Sequence, residues 1–386
     1  MRYEPWPLLR DYFLRAAPAG ARAAPFIRDS ASVRGLSIKL VIATLPCWLI
    51  GLWSVGYQSN EALGELGMTT LPGWRGSLID TLGVGHALTD PWACFFLGLL
   101  YFLPVFLVAL LTSVSWELVF ASVRRRHMSE GILAFAWLFA LVLPAGVPLY
   151  QVAVGVSFGF IVGSAIYGGY GYYLVNPVLL GLAFLLFAYP DLVFGPNTWV
   201  PVPGFETSPP LRLAAEGGIE AVHAAGMSTW DLFLGLRPGP LGATSVLGCL
   251  LGALYLVITA TVSWRIMLGA ALGMTVTALL FDGFAADTNQ LATMSGHWHL
   301  LLSGFVFGVV FFATDPVAAA NTRAGRWMFG ALVGALTIVI SASNPSYNEG
   351  VLFAVLLASL FSPVLDFLVV ERNVRRRRRR LEEGAA

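Results

Sequence analysis

The chain is organised as long apolar runs separated by short polar breaks. Ten runs approach the length needed to cross a bilayer: 37–57, 92–115, 131–148, 149–167, 172–189, 243–263, 265–281, 298–314, 326–343 and 350–370. A helix rises about 1.5 Å per residue, so roughly 20 residues cross a hydrocarbon layer of about 30 Å. Backbone polar groups left open in lipid are costly, so each run is predicted to be a helix. The expected class is all-α: a polytopic integral membrane protein of about ten transmembrane helices. The third and fourth runs are joined only by the Pro144-to-Pro148 stretch and are expected to be short, tilted or broken.

The runs suggest an organisation. Residues 1–36 form a basic N-terminal arm, 37–190 a first membrane half of five helices, and 191–242 a long connecting loop. Residues 243–370 form a second half of five helices, and 371–386 an Arg-rich tail. Two pairs of segments look alike. GILAFAWLFALVLPAGVP (131–148) resembles LLSGFVFGVVFFATDPVA (301–318), and LVNPVLLGLAFLLFAYP (174–190) is echoed by SNPSYNEGVLFAVLLASLFSP (343–363). Five spans per half would give the halves opposite topology, the inverted-repeat plan that puts sites where helices are interrupted.

Charge placement predicts orientation. Arg-rich segments are the N-terminal arm, Arg124 to Arg126, Arg265, Arg323, Arg326, Arg372 and the run Arg375 to Arg380. With ten spans all fall on one side, which the positive-inside rule makes cytoplasmic, with both chain ends there. The opposite loops are acidic, holding Glu61, Glu65, Asp80, Asp90, Glu206, Glu216, Glu220 and Asp231. The 191–242 loop is therefore expected to be extracytoplasmic.

Composition agrees. The chain has 386 residues, 57% hydrophobic and 12% charged, against about 25% charged in a soluble domain. A net charge of +1 gives no reason to expect nucleic acid as a partner. Cys47, Cys94 and Cys249 stand singly in apolar runs, as buried free thiols do, and no Cys or His cluster with metal-ligand spacing is present. No apolar core precedes Leu36, so no cleavable signal peptide is expected.

Polar residues inside apolar spans are the candidates for chemistry, because each costs free energy in lipid unless it meets a partner, water or a ligand. Asn176-Pro177 and Asn344-Pro345 set an amide beside a proline that frees a backbone carbonyl. Such a carbonyl suits a cation or a cofactor edge, or marks a plain helix kink. Asp315, in Ala313-Thr314-Asp315-Pro316, reads equally as a turn carboxylate or an ion-path carboxylate. Asp366 lies among apolar neighbours near the end of the last run, as an ion-path candidate or a partner of Arg372. His297 and His299, two residues apart on a helix, point to different faces and make a poor metal pair. Gly155, Gly159 and Gly163 recur every four residues and form a smooth face for close packing or for a flat ring. Gly168 and Gly169 follow them and, with Asn176, are candidates for holding a cofactor ring.

Several stretches carry a specific resemblance. Trp116-Glu117-Leu118-Val119-Phe120-Ala121-Ser122-Val123-Arg124, PLYQVAVGVSFG (148–159), YGGYGYYLVNPVLLGLAFLLFAYP (167–190), GHWHLLLSGFVFGVVFFATDPV (296–317) and NPSYNEGVLFAVLLASLFSPVLDFLVVERN (344–373) resemble, in order, segments of the B subunit of the sodium-translocating NADH:quinone reductase. The D subunit of the related Rnf complex is the nearest alternative; the basic arm and C-terminus are more like the reductase protein. The resemblance implies a membrane core component of a redox-driven sodium pump in a bacterial inner membrane. It implies sister subunits, a lipid bilayer, sodium ion and quinone as partners, with FMN, riboflavin and ubiquinone as cofactors. Enzyme status would then come through the complex, since the chain shows no nucleophile, base or metal constellation and no dinucleotide fingerprint of its own.

The resemblance also exposes departures. The family attaches FMN through its phosphate to a threonine in the extracytoplasmic loop. Here Gly204-Phe205 and Leu211 to Gly218 align without a gap, and the acceptor position is Pro209, which has no hydroxyl. Thr207 and Ser208 are the neighbouring hydroxyls, so covalent FMN is expected to be absent. Ser164-Ala165, Leu182, Ala243 and Ser341 stand where the family usually has charged residues. Losing both partners of a buried pair can be neutral, so the fold is expected to persist. Three functions fit: a pump component coupling electron flow to sodium, a flavin-poor scaffold or quinone-facing component, and a stand-alone transporter.

Overall fold

In the computed structural model, residues 32–190, 195–284, 289–302, 304–343 and 350–385 are described. Asn344, Pro345, Asp191, Asp287 and most of the N-terminal arm lie outside them. Among the described residues the structure is helical, with no strand. In the first half, α1 runs Val33–Glu65, α2 Trp74–Leu82, α3 Pro91–Arg124, α4 Ile132–Val142, and α5 Leu149–Phe160, continuing as a π-helical turn over Ile161–Ala165. Helix α6 spans Pro177–Ala188. The connecting loop carries α7 (Pro196–Trp199), α8 (Pro210–Ala224) and α9 (Thr229–Leu234). The second half comprises α10 (Val246–Ile258), α11 (Trp264–Phe284), α12 (Gly296–Leu302), α13 (Phe305–Phe307, continuing π-helically over Gly308–Ala313), α14 (Arg323–Ser343) and α15 (Gly350–Ala385).

Each predicted run contains a helix. By length and composition five helices suffice to cross a membrane, namely α1, α3, α11, α14 and α15. Helices α12 and α13 with its π-helical extension make a sixth candidate, bent by 83°. Four shorter apolar helices, α4, α5 with its π-helical turn, α6 and α10, fill out the bundle. Prolines also lie inside the long helices α1, α3 and α15 (Pro46, Pro104 and Pro363), whereas π-helical geometry is confined, among the described residues, to two interrupted spans. Pro148 precedes α5, Pro177 opens α6, and a π-helical turn ends both α5 and α13.

Packing in lipid gains little from hydrophobicity, so close approach of small residues does much of the work. The first helices of the two halves show this. A Cβ on Gly248 of α10 would lie 3.0 Å from the Cys47 Cα of α1, and one on Gly252 would lie 2.3 Å from the Ala43 carbonyl oxygen. From α1, a Cβ on Gly51 would stand 2.0 Å from the Leu241 carbonyl oxygen. The crossing brings the Cys47 and Cys249 Sγ atoms to 3.7 Å, both free thiols and both buried. In the first half α3 packs on α5 and α5 on α6; in the second, α11 packs on α14 and α14 on α15. The Gly155/Gly159 face is used for packing. Added Cβ atoms there would meet Leu185 at 2.5 Å and the Pro177 carbonyl oxygen at 2.5 Å.

The connections that carry Arg34, Arg124 to Arg126 and Arg323, with the Arg-rich extension of α15, gather at one end. The Arg34 amide donates to Glu130 Oε2 at 3.1 Å, joining the start of α1 to the α3–α4 connection. Arg126 donates to the Gly168 carbonyl at 2.7 Å, joining that connection to the one after α5. Asp366 of α15 meets Asn321 and Thr322 before α14. The start of α1 and the charged extension of α15 therefore lie at the same end of the bundle. The acidic loops and the 201–206 segment lie at the other.

Candidate functional site

At the Arg-bearing end, the break before α6 meets the break after α13. Asn176 caps α6, its Oδ1 accepting from the Val178 amide at 3.0 Å, while Pro177 takes the first helical position where no amide hydrogen is needed. The other end of the Asn176 amide donates to Asp315 Oδ2 at 2.8 Å. Tyr173 Oη donates to the same carboxylate, 2.8 Å from Oδ2 and 3.1 Å from Oδ1. The Val317 amide donates to Oδ1 at 3.0 Å, so Asp315 also holds the turn that ends the π-helical segment. The side chains of Tyr173, Asn176 and Asp315 are all buried.

Asp315 thus receives only neutral donors among the described residues. A carboxylate so placed neutralises itself by taking a proton or a cation, because an isolated buried charge is expensive. The group faces a cavity of about 90 Å³, walled by Ser37, Tyr170, Thr261, Thr314 and apolar side chains. Water occupies about 30 Å³, so this space suits a few waters or a partly hydrated monovalent ion. An isoalloxazine ring does not fit, since pockets for molecules of that size run from about 300 Å³.

The remaining sequence candidates lie elsewhere. The Asp366 carboxylate accepts from the Asn321 amide at 2.7 Å, the Thr322 amide at 2.9 Å and the Thr322 hydroxyl at 2.6 Å. It is a clamp between α15 and the start of α14; these bonds, not Arg372, occupy it. Gly168 and Gly169 receive an arginine: Gly168 supplies the carbonyl for Arg126, and a Cβ on Gly169 would lie 2.0 Å from the Arg126 Nη1. His297 contacts Ser295 at 3.0 Å and is exposed, whereas His299 is buried, and no group of three or more metal-ligating side chains forms among the described residues. Asn344 lies outside the described residues.

Thr207, Ser208 and Pro209 sit at the opposite end, leading into α8. Pro209 is the residue before the helix; its carbonyl accepts from the Arg212 and Leu213 amides at 3.0 and 3.2 Å. Having no hydroxyl, it cannot form a phosphoester, so the position does not fit covalent flavin. Thr207 and Ser208 are partly exposed, and the Thr207 amide is tied to the Pro196 carbonyl at 3.1 Å.

Three features escape the sequence reading. Tyr173 is indistinguishable within the Gly- and Tyr-only stretch 167–173 until the fold turns it onto Asp315. Glu117, fully buried in α3, accepts from Arg126 Nη2 at 3.0 Å and the Ser129 amide at 2.7 Å. Its carboxylate within an apolar run was the available signal. Arg237, 4% exposed, donates to the Thr244, Ala243 and Leu302 carbonyls and ties the long loop to both α10 and α12.

A family model described as "NQR2, RnfD, RnfE family" matches residues 21–375. Among curated relatives, the B subunit of the Na(+)-translocating NADH-quinone reductase of Chromohalobacter salexigens is 41% identical over 370 residues, covering 96% of this chain and 90% of the relative. The proteins of the same name from Azotobacter vinelandii and Pseudomonas aeruginosa are 39% and 40% identical, each covering 97% of this chain and 94% of the relative.

Proposed function

Given that the chain belongs to the NQR2, RnfD, RnfE family, we propose that it is the B-type membrane component of a sodium-translocating NADH:quinone reductase, with Asp315 as a cation-holding waypoint. The enzymatic activity belongs to the complex, and this chain supplies a membrane core. Sister subunits, sodium ion, quinone and a bacterial inner membrane are the partners and setting that this reading entails. The arginines mark the cytoplasmic face, with both chain ends there. The two halves form an inverted repeat, which the similar pairing of their helices supports.

The observation that carries the ion role is the buried Asp315 carboxylate, held by the neutral donors of Tyr173, Asn176 and Val317 and facing a small polar-edged cavity. A sodium ion arriving there exchanges water for carboxylate and hydroxyl oxygens, the hard donors that suit hard cations. Tyr173 and Asn176 hold the carboxylate in place. The test is sodium uptake by vesicles containing the whole complex. Asp315→Asn is expected to lower sodium-dependent uptake at least tenfold while the complex still assembles; unchanged uptake overturns the role.

Flavin enters this reading only as a cofactor of the complex. Where FMN is bound, it supplies one- and two-electron redox chemistry. Pro209 denies it the family's point of attachment, and we propose that this chain carries no phosphoester-linked FMN. Riboflavin or FMN held without a covalent bond and ubiquinone as acceptor remain compatible with a quinone-facing component. In-gel fluorescence after denaturation is expected to show no band for this chain. A fluorescent band with an FMN-phosphoester mass would place the flavin on Thr207 or Ser208 instead.

A further inference from the structure

The acidic-loop end of the bundle carries a cleft of about 620 Å³ whose lining includes Trp74, Arg75, Tyr101, Asn197 and Glu206. Arg75 is the feature to explain. Its guanidinium lies 4.5 Å from the Tyr101 ring centroid and 4.8 Å from that of Trp74, and its Nε donates to the Leu100 carbonyl at 3.2 Å. Tyr101 is fixed in turn by donating to the Pro201 carbonyl at 2.8 Å. Arg75 forms no ion pair with a carboxylate among the described residues. Two aromatic rings and one carbonyl hold the group, leaving its terminal nitrogens as donors. Glu206, exposed in the lining of the same cleft, likewise forms no ion pair among the described residues. The cleft therefore presents one cation and one anion, each without a charged partner among those residues.

Depth identifies the ligand class. The Tyr101–Pro201 hydrogen bond sets the cleft where α3 meets the connecting loop at the acidic-loop end of the bundle, the level at which headgroups lie. Trp74 beside Arg75 is 56% exposed, as an aromatic residue at the membrane–water boundary is. A guanidinium matches phosphate oxygens with paired donors, and a carboxylate matches a primary ammonium.

We propose that this cleft binds a phospholipid headgroup bearing both a phosphodiester and a primary ammonium, with Arg75 on the phosphate and Glu206 on the ammonium. An ethanolamine headgroup fits both groups. A glycerol headgroup meets Glu206 without a cation, and a choline headgroup offers Glu206 a cation with no hydrogen to donate. The inference stands apart from the sodium role of Asp315, which lies at the other end of the bundle.

The test is native mass spectrometry of the delipidated complex titrated with dioleoyl phosphatidylethanolamine, phosphatidylglycerol and phosphatidylcholine. Ethanolamine lipid is expected to bind at least tenfold more tightly than choline lipid. Arg75→Gln should weaken all three lipids at least tenfold while keeping their order, and Arg75→Lys should restore part of that affinity. Glu206→Gln, on an exposed loop and clear of the Arg75 aromatic contacts, should bring ethanolamine and glycerol lipids within about twofold and decides the matter even where Arg75→Gln fails to fold. Equal binding of the three lipids, or unchanged preference in Glu206→Gln, overturns the proposal. So does displacement of lipid by millimolar glycerophosphoethanolamine, which would make a soluble phosphate ester the occupant, or release of FMN from the cleft on denaturation.

Discussion

Arg126→Met tests what holds the Arg-bearing end together. Arg126 bonds Glu117 Oε2 at 3.0 Å and the Gly168 carbonyl at 2.7 Å, while Glu117 is fully buried and, when that arginine is removed, keeps the Ser129 amide as hydrogen-bond donor and the nearby charge of Arg124. Breaking a buried pair from one side strands a charge and costs about 3–5 kcal/mol, whereas replacing both partners with neutral groups is close to neutral. Arg126 is one-quarter exposed, so the lower end applies. About 3 kcal/mol corresponds to roughly a 150-fold increase in local opening. The assay is amide hydrogen exchange of the purified complex, read at Ser129 and in the Gly168–Gly171 segment. The single variant should exchange about 100-fold faster there; Glu117→Gln combined with Arg126→Met should recover at least half of the loss on a logarithmic scale. A double variant as impaired as the sum of the singles would refute the pairing argument, because no coupling would then exist between the two groups.

Other variants probe separate contacts. Gly252→Ala places a methyl 2.3 Å from the Ala43 carbonyl oxygen; backbone displacement should cost about 1–3 kcal/mol and lower the thermal midpoint, whereas Gly64→Ala, with open space at its Cβ, should leave it unchanged. Asp366→Ala removes the acceptor of three hydrogen bonds at the start of α14, so about 1–2 kcal/mol of stability and protease resistance near Thr322 should be lost. Tyr173→Phe deletes a donor to Asp315 but keeps the ring, and is expected to weaken sodium-dependent uptake about threefold to tenfold, less than Asp315→Asn; equal effects would make the tyrosine more than a positioning group.

The helices were legible because lipid imposes one rule on every span: close the backbone hydrogen bonds and show apolar side chains. Runs such as 92–115 and 350–370 satisfy it without ambiguity, and each falls within a long helix, α3 or α15. The site was half legible. Asn176 and Asp315 stand out because they are polar beside proline within apolar sequence. Their union through Tyr173 depends on two breaks 139 residues apart meeting in space, which no local pattern encodes. Asp366 shows the reverse difficulty. A carboxylate among apolar neighbours signals function, yet here its lone pairs are occupied by the backbone and hydroxyl of a neighbouring turn. Gly168 and Gly169 read as room for a ring, and the room is taken by a guanidinium from 42 residues earlier.

Helix α15 has 36 residues, about 54 Å in length and nearly twice the hydrocarbon thickness, with Pro363 inside it. Its charged portion past Glu371 projects about 20 Å without support from other described helices. That proline-free portion, anchored at one end, is a pointer: a tilt of about 10° at its base sweeps the tip sideways by about 4 Å. Small rearrangements around Asp366, too slight to alter the bundle's outline, would therefore be magnified into movements of the arginine-bearing tip that a neighbouring protein or lipid surface can register.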